Sequence, residues 1–393
     1  MRFEGLIITG TSCSGKSTIV NNLCMNGYEN VSFEQVRAVT TRDPRPEDSH
    51  YDYITDEEFE RLSNEDLLLV NTTYRRKRYG IKKESYHAVI NNMNIPIMIL
   101  TPCSSSILIS SNPDKFLCFF VDADDDILVD RWTERSGNDM GIKEKRSFLN
   151  QSMLDRNYQD HAHYILQNST ISESVSLILF LWDSQYRGGA LSQGIIKNMI
   201  SCGMLLRDAN LDMIHGASYD LCLGDEYYYG GKIQKLSSRN PFLTIEPYDY
   251  AIVSCKETAW IPRDIIGKFG LSVGLFCQGI ILSNGPQIDP GFRGTLFCLL
   301  FNTSNRAVHL KRGKHYATIE FNKLMGYAQM YSGKYQGKNR IIDYIPENAL
   351  HGAINELKKE VEKLKTEIRF MQNIYLGVVA IMFAIVSILL VIK

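Results

Sequence analysis

Apolar positions change their period three times along the chain, and each change predicts a different kind of element. In the first half, continuous apolar runs such as GLIITG (5–10), IPIMIL (95–100) and FLCFFVDA (116–123) alternate with stretches of helical spacing such as DEEFERL (56–62). Strands apolar on both faces, separated by helices, predict a parallel-sheet α/β domain, placed here at residues 1–185. From about 215 to 325 the runs shorten: YAIVSC (250–255), QGIILSNGPQIDPGFRGTLFCLLFN (278–302), RAVHL (306–310) and YATIEF (316–321) are broken by Gly, Pro and Asn. That texture predicts an all-β domain with many turns over residues 186–330. QYRGGALSQG (185–194) is the expected joint, and SGKYQGKNR (332–340) a flexible lead-out.

The third pattern is a 3–4 alternation at Ile354, Leu357, Val361, Leu364, Ile368, Met371 and Tyr375, with Lys and Glu between. It predicts a coiled-coil stalk over 345–373, and Ile or Val at one seam position with Leu at the other favours two strands. Residues Ile374 to Ile392 then carry no charge. At about 1.5 Å per residue they match a hydrocarbon core of about 30 Å, so 374–392 is the expected transmembrane helix. Lys358, Lys359, Lys363, Lys365 and Arg369 precede it and only Lys393 follows. The expected arrangement is a single-pass C-terminal tail anchor with the N-terminal domains in the cytoplasm. No repeat of fixed period is present.

Composition narrows the chemistry. With 43 basic and 44 acidic side chains the net charge is −1, which excludes a general polyanion binder, so nucleic acid is not the expected partner. The nine cysteines are scattered and never spaced C-x-x-C, as expected of reduced thiols and not of a disulfide framework or zinc knuckle. MRFEGLIITG lacks the basic and apolar pattern of a secretory signal.

Gly10-Thr11-Ser12-Cys13-Ser14-Gly15-Lys16-Ser17 fits G-x-x-x-x-G-K-[ST] between a strand run and a helical run. Such a loop turns backbone N–H groups onto phosphate oxygens at a helix N-terminus. Gly10, Ser14, Gly15, Lys16, Ser17 and Thr18 are the expected ATP-phosphate ligands. Lys16 supplies a mobile positive charge, and Ser17 a hydroxyl for Mg²⁺.

Downstream, TTRDPRPED (40–48), HYDYITDEEFERL (50–62) and YGIKKE (79–84) resemble the monophosphate site of the guanylate kinase family. By that resemblance Arg42 and Arg45 grip the acceptor phosphate, and Tyr53 and Tyr79 donate to it; paired guanidiniums suit such an anion. LVDRWTERSG (128–137) and KEKR (143–146) resemble the family's lid, which makes Arg131, Arg135 and Arg146, with Lys16, the expected catalytic cations. Three departures concern the base. Val70 stands where the family has an acidic reader of guanine, Ile81 replaces a threonine, and IMILTPCSSS (97–106) lacks an aspartate. An apolar side chain cannot accept from guanine N–H groups, so GMP is not the expected acceptor.

GASYDLCLGD (216–225), IPRDIIGKFGL (261–271), QGIILSNGPQIDPGFRG (278–294) and FNTSN (301–305) resemble the trimeric dUTPase and dCTP deaminase family, a distorted β barrel with sites between subunits. The resemblance implies a homotrimer and a second nucleotide site at Asp220, Gln278, Asp289 and Phe292, with a deoxynucleoside triphosphate as ligand. Zinc-deaminase motifs are absent, Leu299 fills the place of the family's catalytic glutamate, and SVGLFCQG (272–279) has no arginine. Deamination is expected to be impaired, and the domain to oligomerise or sense nucleotides. Asp289 leaves open a dUTPase-like attack by water.

Two functions follow as expectations. One is a membrane-tethered kinase that moves phosphate from ATP to a nucleoside or deoxynucleoside monophosphate with Mg²⁺. The other is a nucleotide-sensing membrane effector, for example in anti-phage defence, whose helices respond to deoxynucleotide binding. A plainer variant has the β domain and stalk merely gathering kinases on a membrane.

Overall fold

The structure is a computed structural model that describes residues 3–27, 31–44, 50–137, 141–185, 187–283, 285, 287–345 and 353–391. β1 (Gly5–Gly10), α1 (Lys16–Asn26) and β2 (Phe33–Gln35) open the chain. A small insert follows: β3 (Ala38–Thr40), β4 (Tyr51–Tyr53), α2 (Asp56–Asn64), β5 (Leu68–Tyr74) and β6 (Lys77–Lys82). Then come α3 (Lys83–Asn91), β7 (Ile95–Ile99), α4 (Pro102–Ser111), β8 (Phe116–Asp122), α5 (Asp125–Ser136), α6 (Ile142–Arg156), β9 (Tyr164–Gln167) and α7 (Ile171–Asp183).

Five strands pair in parallel in the order β2-β7-β1-β8-β9. Every residue of β1 and β8 is buried, which is why their sequences are continuous apolar runs and not alternating ones. The insert makes its own sheet, β4-β3-β6-β5. Thr55 caps α2 by accepting from the Glu58 amide, and Phe59 and Leu62 on its inner face pack on Val39 and Leu68. The β5–β6 turn is Arg75-Arg76, both in the left-handed region at φ 50° and 62°.

The second half is antiparallel throughout. Its longest strand, Ser218–Tyr229, lies between His315–Lys323 and Tyr250–Trp260, which in turn pairs with Arg293–Asn302. Arg293–Asn302 alternates strictly between buried and half-buried residues, the period-two signature read in the sequence. The joint is firm. Gly189–Ala190 is a short strand on Lys323 and Asn322, and one hydrophobic core runs from Leu6 and Ile8 through Leu181 and Trp182 to Leu191, Ile196 and Tyr219. At its edge Asp264 accepts from both Lys323 and Tyr164, whose hydroxyl meets Tyr327 at 3.1 Å. Arg293 bonds Asp160 across the joint at 2.7 Å and lies over the Trp260 ring.

The lead-out at 332–340 is packed, contrary to expectation. The Gln336 side chain donates to the Gly291 carbonyl, and Tyr335 stacks on Tyr344 at 4.9 Å. Aromatic rings spaced through this glycine-containing stretch supply contact area that its composition conceals. Beyond it, one uninterrupted helix covers Ala353–Val391, 39 residues or about 58 Å. Within its segment Glu360–Ser387 an 18-residue stretch has mean hydropathy 1.9 and is not buried by the rest of the chain, so this helix is long and apolar enough to cross a membrane. Val361, Leu364, Ile368, Met371 and Tyr375 of the heptad seam are exposed on the single chain; the side chains of Ile354 and Leu357 lie outside the described residues.

Candidate nucleotide site

The loop between β1 and α1 presses against β8. A Cβ at Gly10, where φ is 130°, would lie 1.9 Å from the Val121 carbonyl oxygen, and one at Gly15, where φ is 91°, would lie 2.4 Å from the Asn168 side chain. Only glycine fits either place. Asn168, fully buried after β9, donates to the Ser14 carbonyl at 2.7 Å and accepts from Ser174. Thr11 bonds Asp122, which also takes a fork of two hydrogen bonds from Arg156 at 2.7 and 3.2 Å. These supports lie 100 residues or more downstream and have no local signature, so the loop motif gives no hint of them.

Lys16 donates to the carbonyl oxygens of Gly10 and Thr11. Burial lowers its pKa to about 8, with Arg135 pushing the same way and Asp155, Cys13 and Asp122 opposing. Ser14 is buried and donates to the Thr11 carbonyl, whereas Ser17 and Thr18 stand exposed in the first turn of α1.

The loop forms one wall of a cavity of about 870 Å³. Arg42, Tyr51, Tyr79 and Thr101 also line it, as do Arg131, Trp132 and Arg135 of α5. Arg42 is 9 % exposed, with its guanidinium 4.8 Å from the Tyr51 ring centre and 5.8 Å from that of Tyr53. Arg131 donates to the Asn168 carbonyl at 3.1 Å, and its other terminal nitrogen is buried with no hydrogen-bond partner. Arg146 lies exposed on α6 and is not part of the lining. Arg45 lies outside the described residues.

Two further residues complete the rim. Tyr74 donates to both carboxylate oxygens of Asp155 at 2.8 and 3.1 Å, tying the insert to α6. Burial raises the Asp155 pKa, and burial together with that carboxylate raises the Tyr74 hydroxyl. Arg75 lines the cavity beside them. In the sequence it belongs to the basic run Arg75 to Arg78, which reads equally as a widening of the electropositive mouth or as a solvated loop.

In the β half the four expected residues fall on three segments, with Asp289 and Phe292 on one turn where the Phe292 amide donates to the Asp289 carbonyl at 3.1 Å. Asp220 lies within 3.6 Å of the His215 ring, Gln278 is exposed and bonds the Gly274 carbonyl, and Asp289 accepts from Gln287. Phe292 is buried edge-on to Tyr331, 5.6 Å away, beneath the packed lead-out. Leu299 is half-buried on the opposite face of its strand from Cys298 and Leu300. The sequence reading missed Glu257, 1 % exposed, which accepts from the Cys222 amide and the Tyr219 hydroxyl; burial raises its pKa.

A strand–loop–helix phosphate cradle on a parallel sheet, followed by an antiparallel β half, defines a two-part nucleotide-handling protein. Residues 3–180 match the guanylate kinase family, and residues 190–324 match the dCTP deaminase-like family. The dCTP deaminase of Thermococcus kodakarensis is 36% identical over 139 residues, 35% of this chain and 88% of that protein. That of Pyrococcus horikoshii is 31% identical over 140 residues, again 35% and 88%. The guanylate kinase of Chlamydia abortus is 26% identical over 182 residues, 44% of this chain and 83% of that protein. The chain belongs to the dCTP deaminase family through its β half and carries ahead of it a domain similar to the guanylate kinases.

Proposed function

We propose that the chain is a membrane-held nucleoside monophosphate kinase whose β domain gathers copies, as trimers, and binds a deoxynucleotide with little or no deamination. The observation that carries the reading is that the phosphate loop and Arg42 line one cavity of about 870 Å³, large enough for two nucleotides. The loop amides, Lys16 and Thr18 hold the ATP phosphates, while Arg42, with Arg45, Tyr53 and Tyr79, holds the monophosphate. An acceptor phosphate oxygen bonds to the γ-phosphorus as the bond to the β,γ-bridging oxygen breaks, and ADP leaves. Arg131 and Arg135 offset charge on the equatorial oxygens in flight.

Magnesium fits this donor set. Ser17 offers an exposed hydroxyl in the first turn after the loop, a hard oxygen donor of the kind magnesium takes alongside phosphate oxygens and water. Bound there, it would neutralise phosphate charge. Support for a quiet β domain comes from Leu299 and from the absence of arginine in SVGLFCQG (272–279).

The test is ADP formation from ATP and Mg²⁺ with a panel of monophosphates, using the full chain in detergent. Acceptor-stimulated turnover that disappears in Lys16→Ala supports the kinase; a panel with no stimulation above background removes it. The continuous helix Ala353–Val391 favours the second reading, a sensor that passes nucleotide binding to the membrane. Vesicle leakage that ignores every nucleotide would count against that reading.

A further inference from the structure

We propose that Arg75, at the tip of the insert's hairpin, contacts the terminal phosphate of the bound triphosphate, an inference that rests on the kinase reading of the cavity. β5 and β6 pair from Tyr74 against Lys77, so Arg75 and Arg76 are the whole of a two-residue turn. Both stand in the left-handed region, at φ 50° and 62°. Turns of that kind favour Asn-Gly or Asp-Gly, because a side chain as large as arginine strains the backbone there. Strain held at a residue that lines a cavity points to a task for its side chain. Arg75 lines the cavity of about 870 Å³ together with the phosphate loop, and Arg76 does not.

The tip is held in place through Tyr74. The Arg75 guanidinium lies 5.5 Å from the centre of the Tyr74 ring, and Tyr74 is fixed by its two hydrogen bonds to Asp155. Asp155 is buried and also accepts from Gln151 at 3.0 Å. Burial raises its carboxyl while Gln151, Tyr74, Arg75 and Lys16 pull it down, so the hairpin arginine and the loop lysine act on the same carboxylate. A lysine in this loop motif reaches the β- and γ-phosphates. Arg75 comes to that end of the cavity from the insert, the part of the chain that carries Tyr79. In the same basic run Lys77 reaches Asp43, and Arg78 reaches Asp56 and Glu60, whereas no described carboxylate forms an ion pair with Arg75. Its exposed guanidinium is left for an anion in the cavity, which it can meet with two parallel donors.

The test is titration calorimetry of the full chain in detergent with Mg²⁺, using a non-hydrolysable ATP analogue and, separately, ADP. Arg75→Gly should weaken the analogue about tenfold and leave ADP within about twofold, and Arg75→Lys should fall between it and wild type. Glycine suits the turn, so the same variant should unfold at a higher urea concentration, which separates a lost contact from a lost fold. Arg76→Gly is the control, with a raised urea midpoint and both affinities within about twofold of wild type. Unchanged analogue affinity in Arg75→Gly overturns the assignment, as does an equal loss for ADP, an equal loss in Arg76→Gly, or no analogue binding by the wild type. Because binding is read without turnover, analogue binding with no transfer to any monophosphate would end the kinase reading and still decide the role of Arg75.

Discussion

Replacing Lys16 by methionine should make the protein more stable while abolishing its chemistry. The lysine's pKa falls from 10.5 to about 8 on folding. Each pH unit of that difference is worth about 1.4 kcal/mol, so holding the charged ammonium costs the fold about 3 kcal/mol at pH 7. That figure is a ceiling, since the side chain lines an open cavity and keeps some contact with water. Against it stand the donations to the Gly10 and Thr11 carbonyls, worth about 1 kcal/mol together once water replaces them. The net gain in Lys16→Met is about 2 kcal/mol at neutral pH. The sign with pH follows from proton counting. Between about 8 and 10.5 the unfolded chain still binds the proton that the folded chain has released, so wild-type stability from this group rises with pH. The gap between variant and wild type should be widest near pH 7 and close as pH passes 10.5. Urea unfolding of both proteins at pH 7 and pH 10 measures it. A variant less stable than wild type at pH 7, or a gap that ignores pH, would refute the argument. The same titration predicts that ATP affinity, flat below pH 7.5, weakens by up to about tenfold per unit above pH 8.

Other substitutions test separate pieces. Arg76→Gly relieves a left-handed residue at φ 62° in an exposed hairpin turn and should stabilise by about 1 kcal/mol, read as a shift in the urea midpoint. Asp264→Ala strands the buried Lys323 ammonium and the Tyr164 hydroxyl at the joint, and should cost about 3–5 kcal/mol in the same assay. Asn168→Ala removes the clamp on the Ser14 carbonyl and should weaken ATP-analogue binding by about tenfold in calorimetry; unchanged affinity would show that the loop holds its shape alone.

What the sequence reveals depends on how far apart the cooperating residues lie. The phosphate loop is legible because its glycines, lysine and serine are consecutive, and Arg42 because a short stiff motif surrounds it. The loop's supports are not, since Asn168, Asp122 and Arg156 meet it only through the sheet order, which places β8 and β9 beside β1. The packed lead-out misleads for a related reason: its glycines suggest freedom, while Tyr331, Tyr335 and Tyr344 find partners more than 30 residues away, at Phe292 and Phe297, as well as within the segment. Arg131 and Arg146 look equivalent as members of a basic lid, yet helix direction turns the first toward the cavity and leaves the second in solvent.

The unbroken core between the two halves removes any hinge at the one place where a linker would ordinarily sit. Each phosphate loop therefore keeps a fixed bearing relative to the strands of its own β half. In any ring of subunits closed through those strands, the loops would lie on a circle of set radius, all tilted alike to its axis. Geometry alone would then decide whether product leaving one mouth passes near the next.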